Sequence, residues 1–186
     1  KRLILTRDPQ ARDRGPGWIR QAVLALGRVH AAGYVHADVK PENILVADDQ
    51  AVLIDLALAR PIRRRWALRI GARRIEGTRP YLAPETIRRE PPDPRSDLYS
   101  AGATLHETLA GRPPFVAEDP DDLLRMHLSD PPPPLPGDLP APVRAAYGPV
   151  IQRCLRKDPR DRYPDADALA AALARAAKAS AGAGRP

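Results

Sequence analysis

The run His36-Ala37-Asp38-Val39-Lys40-Pro41-Glu42-Asn43 places a carboxylate, an ammonium and an amide close together in one short polar stretch. Pro41 and its polar neighbours make this stretch a loop, set between a helix and a strand that hold its side chains in place. A second carboxylate, Asp55, follows two short apolar runs, Asn43-Ile44-Leu45-Val46 and Ala51-Val52-Leu53-Ile54, joined by Asp48-Asp49-Gln50. The runs read as a β-hairpin, with Asn43 at the start of its first strand and Asp55 just past the end of its second. Antiparallel pairing then sets Asn43 and Asp55 side by side. An amide oxygen beside a carboxylate, with Asp38 near, is a hard-oxygen set suited to Mg²⁺ bound to phosphates. Lys40 adds a cation where an anionic group in transfer needs neutralising. A lone Asp-x-Lys carries little weight, and Asp48-Asp49 reads as a turn; the chemistry rests on the whole spaced set.

The elements that must position these groups are mostly helices. Trp18, Ile19, Ala22, Val23, Leu26, Val29 and His30 recur at helical spacing, and Gly33 stands where a helix-ending glycine belongs, which predicts a helix over 17–32. Further helices are predicted over 96–110, closed by Gly111 and Pro113-Pro114, and over 120–128, 141–156 and 165–177. Residues 55–84 show no period and read as one long loop, a kind of segment that usually carries function. Pro131 to Pro136 reads as a rigid polyproline-type connector in preference to a docking ligand. Residues 1–17 read as an edge strand at Leu3-Ile4-Leu5 plus a connector, and 178–186 as a flexible tail. The expected fold class is mainly α with one small β-hairpin.

With 186 residues, 43% of them hydrophobic, the chain can bury one sizeable core. Its single cysteine, Cys154, excludes an internal disulfide and, beside Ile151 and Leu155, reads as helix core. No stretch has the length of a membrane span and no signal-like segment is present, so the expected location is cytoplasmic. The start at Lys1 reads as a fragment of a longer parent, which leaves open an anchor elsewhere. The net charge of +7 comes from 30 basic and 23 acidic residues. The basic residues are not interleaved with aromatics, so nucleic acid is not an expected partner. The exception in distribution is an arginine cluster over 60–74. His30, His106 and His127 lack metal-ligand spacing and read as surface or core residues.

Taken together, the motifs identify a resemblance. His36 to Asn43 resembles the catalytic loop of protein kinases, and Asp55-Leu56-Ala57 resembles their metal-binding Asp-Phe-Gly element. Gly77-Thr78-Arg79-Pro80-Tyr81-Leu82-Ala83-Pro84-Glu85 resembles the end of the activation segment. Ser96-Asp97-Leu98-Tyr99-Ser100-Ala101-Gly102 resembles the start of the central helix of the larger lobe, and Lys157-Asp158-Pro159-Arg160-Asp161-Arg162-Tyr163 the closing motif. The resemblance covers residues 18–175 in the family's order, in the style of bacterial Ser/Thr members. It implies a C-terminal kinase lobe over 18–177, preceded by a remnant of the hinge region over 1–17. It implies transfer of the ATP γ-phosphoryl group to Ser/Thr hydroxyls of a protein substrate, with ATP and Mg²⁺ as cofactors. Asp38 would accept the substrate proton, Lys40 would contact the γ-phosphoryl group and Asn43 and Asp55 would bind Mg²⁺. Thr78 would help shape the acceptor site, Glu85 would pair with Arg162, Asp97 would hold the catalytic loop and His36 would be structural.

The sequence departs from the family pattern in three places. It has no G-x-G-x-x-G loop and no lysine placed to bind phosphate from an N-terminal lobe, so that lobe is absent from these residues. Ala37 replaces the arginine that usually precedes the catalytic Asp, and Ala57 replaces glycine after Asp55-Leu56. Two rival readings therefore stand beside the kinase. One is a pseudokinase or scaffold, against which the intact Asp38, Lys40, Asn43 and Asp55 count. The other is a small-molecule phosphotransferase of the aminoglycoside or choline type, against which the Gly77–Glu85 segment and Arg162 count. The arginine cluster adds the expectation of an acidic substrate or partner.

Overall fold

In the computed structural model the described residues are 3–5, 10–62, 77–91 and 93–182. They form six α-helices and five short strands, with short 3₁₀ turns between them. The first helix, α1, spans Ala11–Ala31 and starts six residues before the predicted position. Gly15-Pro16-Gly17, expected in the connector before the helix, lie inside it. Pro16 cannot donate to the carbonyl one turn earlier, and packing against α3 (Pro94–Ala110) outweighs that loss. Gly15 lies so close to Thr108 that a Cβ would overlap the Thr108 methyl group, and Arg12 Nε donates to Leu109 O at 3.0 Å. At the other end Gly33 takes a positive φ of 85° and donates to His30 O, ending α1 as predicted.

The hairpin is present, made of β3 (Ile44–Ala47) and β4 (Gln50–Leu53) around a two-residue turn at Asp48-Asp49. A two-residue strand β1 (Leu3–Ile4) pairs antiparallel with β3, so the sheet has three strands in the order β1-β3-β4. A second ladder, β2 (Tyr34–Val35) with β5 (Arg60–Pro61), lies partly within the segment read as loop. Neither Tyr34-Val35 nor Arg60-Pro61 carries an alternation, so no pattern announced this second ladder, whereas the apolar run at Leu3-Ile4 did announce β1. Gln21 of α1 clamps the hairpin, donating to Asp49 O at 2.7 Å and accepting from Ala51 N at 2.9 Å. Arg14 adds bonds to Asp48 O and the Asp49 carboxylate.

Helix α3 begins at Pro94, with Asp93 capping the Arg95 N–H, and ends at Gly111 with φ 75°. It is followed by α2-facing α4 (Pro120–Ser129), then α5 (Ala141–Cys154) and α6 (Ala166–Gly182); α2 itself is the single turn Pro84–Ile87. Residues 178–182, expected in a flexible tail, continue α6, because its alanine-rich sequence is intrinsically helical; residues 183–186 lie outside the described residues. The core forms where α1, α3, α5 and α6 meet, around Trp18, Leu26, Leu98, Tyr99, Leu105, Ile151, Leu155 and Leu169. Cys154 belongs to this core, and burial pushes its thiol up to about 12. It packs on Gly102 so closely that any side chain there would overlap it. The proline-rich connector is docked, with Gln152 Nε2 donating to Pro132 O and Pro133 O at 3.1 and 3.3 Å. Tyr34 on β2, Val52 on β4 and Leu56 just past β4 are exposed apolar residues. Among the described residues no helix is long and apolar enough to cross a membrane.

Candidate active site

The loop from His36 to Asn43 is suspended from the start of α3. Asp97, buried to 1% exposure, accepts the His36 N–H on one carboxylate oxygen at 2.8 Å and the Ala37 N–H on the other at 2.9 Å. His30 Nε2 meets the same carboxylate at 2.7 Å, so α1, α3 and the loop converge on one group. Ala37 has φ 66°, a strained value for a residue with a Cβ. Its bond to Asp97 helps hold that conformation. His36 is fully buried; its Nδ1 accepts weakly from Asp38 N at 3.4 Å and its Nε2 lies 3.2 Å from Ile54 O. This ring ties the loop to the hairpin and faces no open space.

Asp38 is the hub. Lys40 Nζ lies 2.6 Å from Asp38 Oδ2 and donates to Thr78 Oγ1 at 2.7 Å, while the Thr78 hydroxyl donates to Asp38 Oδ1 at 2.9 Å. Asn43 Nδ2 donates to Asp38 O at 2.8 Å and to Asp38 Oδ2 at 3.1 Å. Burial works to raise the Asp38 pKa, but the bonds from Lys40, Thr78 and Asn43 and the Lys40 charge outweigh it and hold the carboxyl below its ordinary value. Asp38 is therefore ionised at neutral pH, with its lone pairs aimed at donors. The contact with Thr78 joins residues forty apart in sequence.

Asn43 and Asp55 are brought near by the hairpin, offset by one position from the expectation. The register pairs Ile44 with Leu53, and Ile54 N donates to Asn43 O at 2.9 Å, so Asn43 faces Ile54 and Asp55 is the next residue. Asp55 is exposed, has φ 67° and accepts the Ala57 N–H on one carboxylate oxygen at 3.0 Å. Asn43 commits its amide nitrogen to Asp38, which leaves the amide oxygen for another ligand. Among the described residues no three His, Cys, Asp or Glu side chains cluster as a closed metal cage. An amide oxygen and an exposed carboxylate at one end of a hairpin fit Mg²⁺, which favours one or two protein oxygens completed by phosphate and water.

A second buried network fixes the far end of the segment that carries Thr78. Arg162 and Glu85 form a two-pronged ion pair at 2.6 and 2.8 Å, both nearly fully buried. Arg162 also donates to the carbonyls of Arg156, Arg95 and Lys157, and its guanidinium lies 4.8 Å over the Tyr99 ring. Ser96 Oγ donates to Glu85, and Ser100 Oγ donates to Tyr81 O. Sequence reasoning missed His30, Ser96 and the Tyr81–Glu107 bond of 2.5 Å. These bonds join residues 11 to 67 apart in the chain, and no local spacing signals that. The arginine cluster over 60–74 lies outside the described residues except for Arg60, which pairs with Val35 across the second ladder.

His127 and His106 are core residues, as expected. His127 is fully buried against Tyr99, whose hydroxyl lies 2.9 Å from its Nδ1, and against the Phe115 ring. Lys157 Nζ caps the end of α4 at Met126 O and His127 O. Burial first, and the Lys157 charge second, push the His127 pKa down from 6.5 to about 4. The folded protein thus keeps this ring neutral where the unfolded chain protonates it, so stability falls as pH drops from about 6.5 toward 4. The loss expected over that window is on the order of 2–3 kcal/mol. His106 acts in the same direction and Glu107, whose pKa is raised by burial, in the opposite one. Urea denaturation at pH 7 and pH 4.5, compared between the wild type and His127→Gln, isolates the term; equal pH dependence in the two proteins would refute it.

Comparison with known proteins agrees with this geometry. The family model described as "Protein kinase domain" matches residues 3–173. The chain is 38% identical over 161 residues to serine/threonine-protein kinase PknA of Mycobacterium tuberculosis, covering 84% of this chain and 36% of that protein. It is 35% identical over 174 residues to serine/threonine-protein kinase PknB of Mycolicibacterium smegmatis, covering 93% of this chain and 28% of that protein. A probable serine/threonine-protein kinase PknB of Corynebacterium glutamicum is 36% identical over 156 residues, 81% of this chain and 24% of the relative. The chain thus spans about a third or less of the length of these relatives.

Proposed function

Because the chain belongs to the protein kinase domain family, we propose that it supplies the larger lobe, over residues 18–177, of a Ser/Thr protein kinase that phosphorylates protein hydroxyls. One observation carries the reading: an ionised Asp38 is held by Lys40, Thr78 and Asn43 beside a hairpin end that presents Asp55. When bound, ATP with Mg²⁺ would supply the γ-phosphoryl group and the charge neutralisation it requires. Asn43 and Asp55 would hold the ion. Asp38 orients the incoming Ser or Thr hydroxyl and accepts its proton at a carboxylate oxygen as the new P–O bond forms. Lys40, already 2.6 Å from Asp38, provides the cation for the transferring group. Thr78 holds the pair in register. The Glu85–Arg162 network anchors the segment on which a protein substrate would lie, which favours a protein acceptor over a small molecule.

The test is ATP-dependent labelling of a general protein substrate by the full-length protein, alongside residues 1–186 alone. We expect Ser/Thr labelling from the full-length protein. No turnover is expected from residues 1–186, which contain no glycine-rich phosphate loop. Binding of partner proteins without labelling would favour a scaffold, a role that Ala37 and Ala57 would tolerate. The arginines over 60–74 favour acidic substrates, a preference that would weaken with added salt.

A further inference from the structure

The stretch from Gly77 to the Glu85–Arg162 pair is turned almost entirely inward. Tyr81 to Glu85 are buried, Gly77, Thr78 and Pro80 are half-buried, and Arg79 alone of these residues is exposed. The neighbouring polar side chains are committed: Thr78 donates to Asp38 and accepts from Lys40, and the Tyr81 hydroxyl donates to Glu107. Among the described residues the Arg79 guanidinium makes no hydrogen bond and no ion pair.

Arg79 also stands on a fixed base. It opens the short turn Arg79–Tyr81, in which Tyr81 N donates to Thr78 O at 3.0 Å and Leu82 N donates to Arg79 O at 3.3 Å. Ser100 Oγ of α3 donates to Tyr81 O at 2.7 Å and holds the turn from behind. The Cα of Arg79 is therefore one peptide, about 3.8 Å, from that of Thr78, whose hydroxyl touches Asp38. A guanidinium rooted there is always charged and offers a planar fork of donors that matches a carboxylate. The Lys40 charge is offset by Asp38 at 2.6 Å, whereas no ion pair offsets that of Arg79. The carboxylates acting on this stretch, Glu107 and Glu42, both bear on the Tyr81 phenol, and neither pairs with Arg79.

We propose that Arg79 is a specificity-determining residue, which selects protein substrates carrying Asp or Glu within two residues of the acceptor Ser or Thr. The inference rests on the kinase reading above and narrows it. A carboxylate held by Arg79 places the adjacent hydroxyl beside Asp38. The arginines over 60–74 belong to another stretch of the chain, and a preference due to them does not depend on Arg79.

The experiment uses the full-length protein and neutral peptides with a single Ser, carrying Asp, Ala or Lys at each of the two positions on either side. For the wild type we expect kcat/KM for an Asp peptide to exceed that of its Ala counterpart by about fivefold or more at one or more of these positions. Arg79→Ala is expected to bring that ratio within about twofold of one, and Arg79→Glu to turn it toward the Lys peptide. Should Arg79→Glu fail to fold in a thermal melt, Arg79→Gln carries the same comparison. A merely structural role lowers every rate alike and leaves the ratio where it was, which overturns the proposal. An acid preference that survives in Arg79→Ala overturns it too, and assigns the preference to other cations. A wild-type preference for Lys, which the exposed Glu42 would favour, also overturns it and leaves the kinase reading standing. No labelling of any peptide or protein by the wild type overturns both.

Discussion

Replacing Asp38 by Asn in the full-length protein is expected to lower phosphotransfer by about a hundredfold or more, the loss typical of a removed acid–base group. Asn has nearly the shape of Asp, and the Ala37 and His36 backbone bonds to Asp97 do not involve the Asp38 side chain. The fold is therefore retained, and Lys40, partly exposed at 19%, can hydrate when its counter-charge is lost. What disappears is the anionic acceptor aligned by Thr78 and Lys40. Asp55→Asn is expected to lose a similar factor by removing the charge that would hold Mg²⁺, with partial recovery at raised Mg²⁺, a recovery that Asp38→Asn would not show. Initial labelling rates, with thermal melts as a check on folding, distinguish these outcomes. A near-normal rate for Asp38→Asn in a folded protein would sink the catalytic assignment and favour a scaffold.

Arg162→Ala is expected to destabilise the protein by roughly 3–5 kcal/mol, because it strands the Glu85 carboxylate in a site with almost no solvent access. The loss extends beyond the ion pair. Three backbone carbonyls, of Arg95, Arg156 and Lys157, lose their donor, and Tyr99 loses the cation over its ring. Glu85→Leu with Arg162→Met removes both charges and is expected to recover much of the loss, since the desolvation cost disappears with the pair. Urea denaturation of the three proteins measures this directly. A change below about 1 kcal/mol for Arg162→Ala would mean that water reaches the site and that the network does not anchor the segment.

How far the sequence could be read depended on how local each signal was. Helical periodicity from Trp18 to His30, the glycines at 33 and 111 and the hairpin around Asp48-Asp49 were all legible, because each depends on a few adjacent residues. The polar spacing from Asp38 to Asn43 was legible for the same reason. A helix that runs through Gly15-Pro16-Gly17 was not, because close packing on Thr108 decides it and the sequence shows only the breakers. Nor was the extension of α6 through residues 178–182, which sequence assigned to a tail.

Within the site, side-chain identity determined what chemistry was available, and topology decided which groups meet. Asn43 and Asp55 are near each other because β3 and β4 are adjacent in sequence, though the register set them one position apart from direct opposition. Thr78 reaches Asp38 across a gap of forty residues, and Arg162 reaches Glu85 across seventy-seven. The convergence of His30, Asp97 and the backbone at Ala37 has no sequence trace, since it arises only when α1 and α3 pack together. The sequence alone determined the inventory of carboxylates, cations and hydroxyls, including the lack of any hydroxyl from Leu56 to Gly77. The tertiary structure decided that Asp38 would stay ionised in spite of its burial and be held in one orientation, because the Thr78 hydroxyl joins Lys40 and Asn43 on its carboxylate only once those distant segments are folded together.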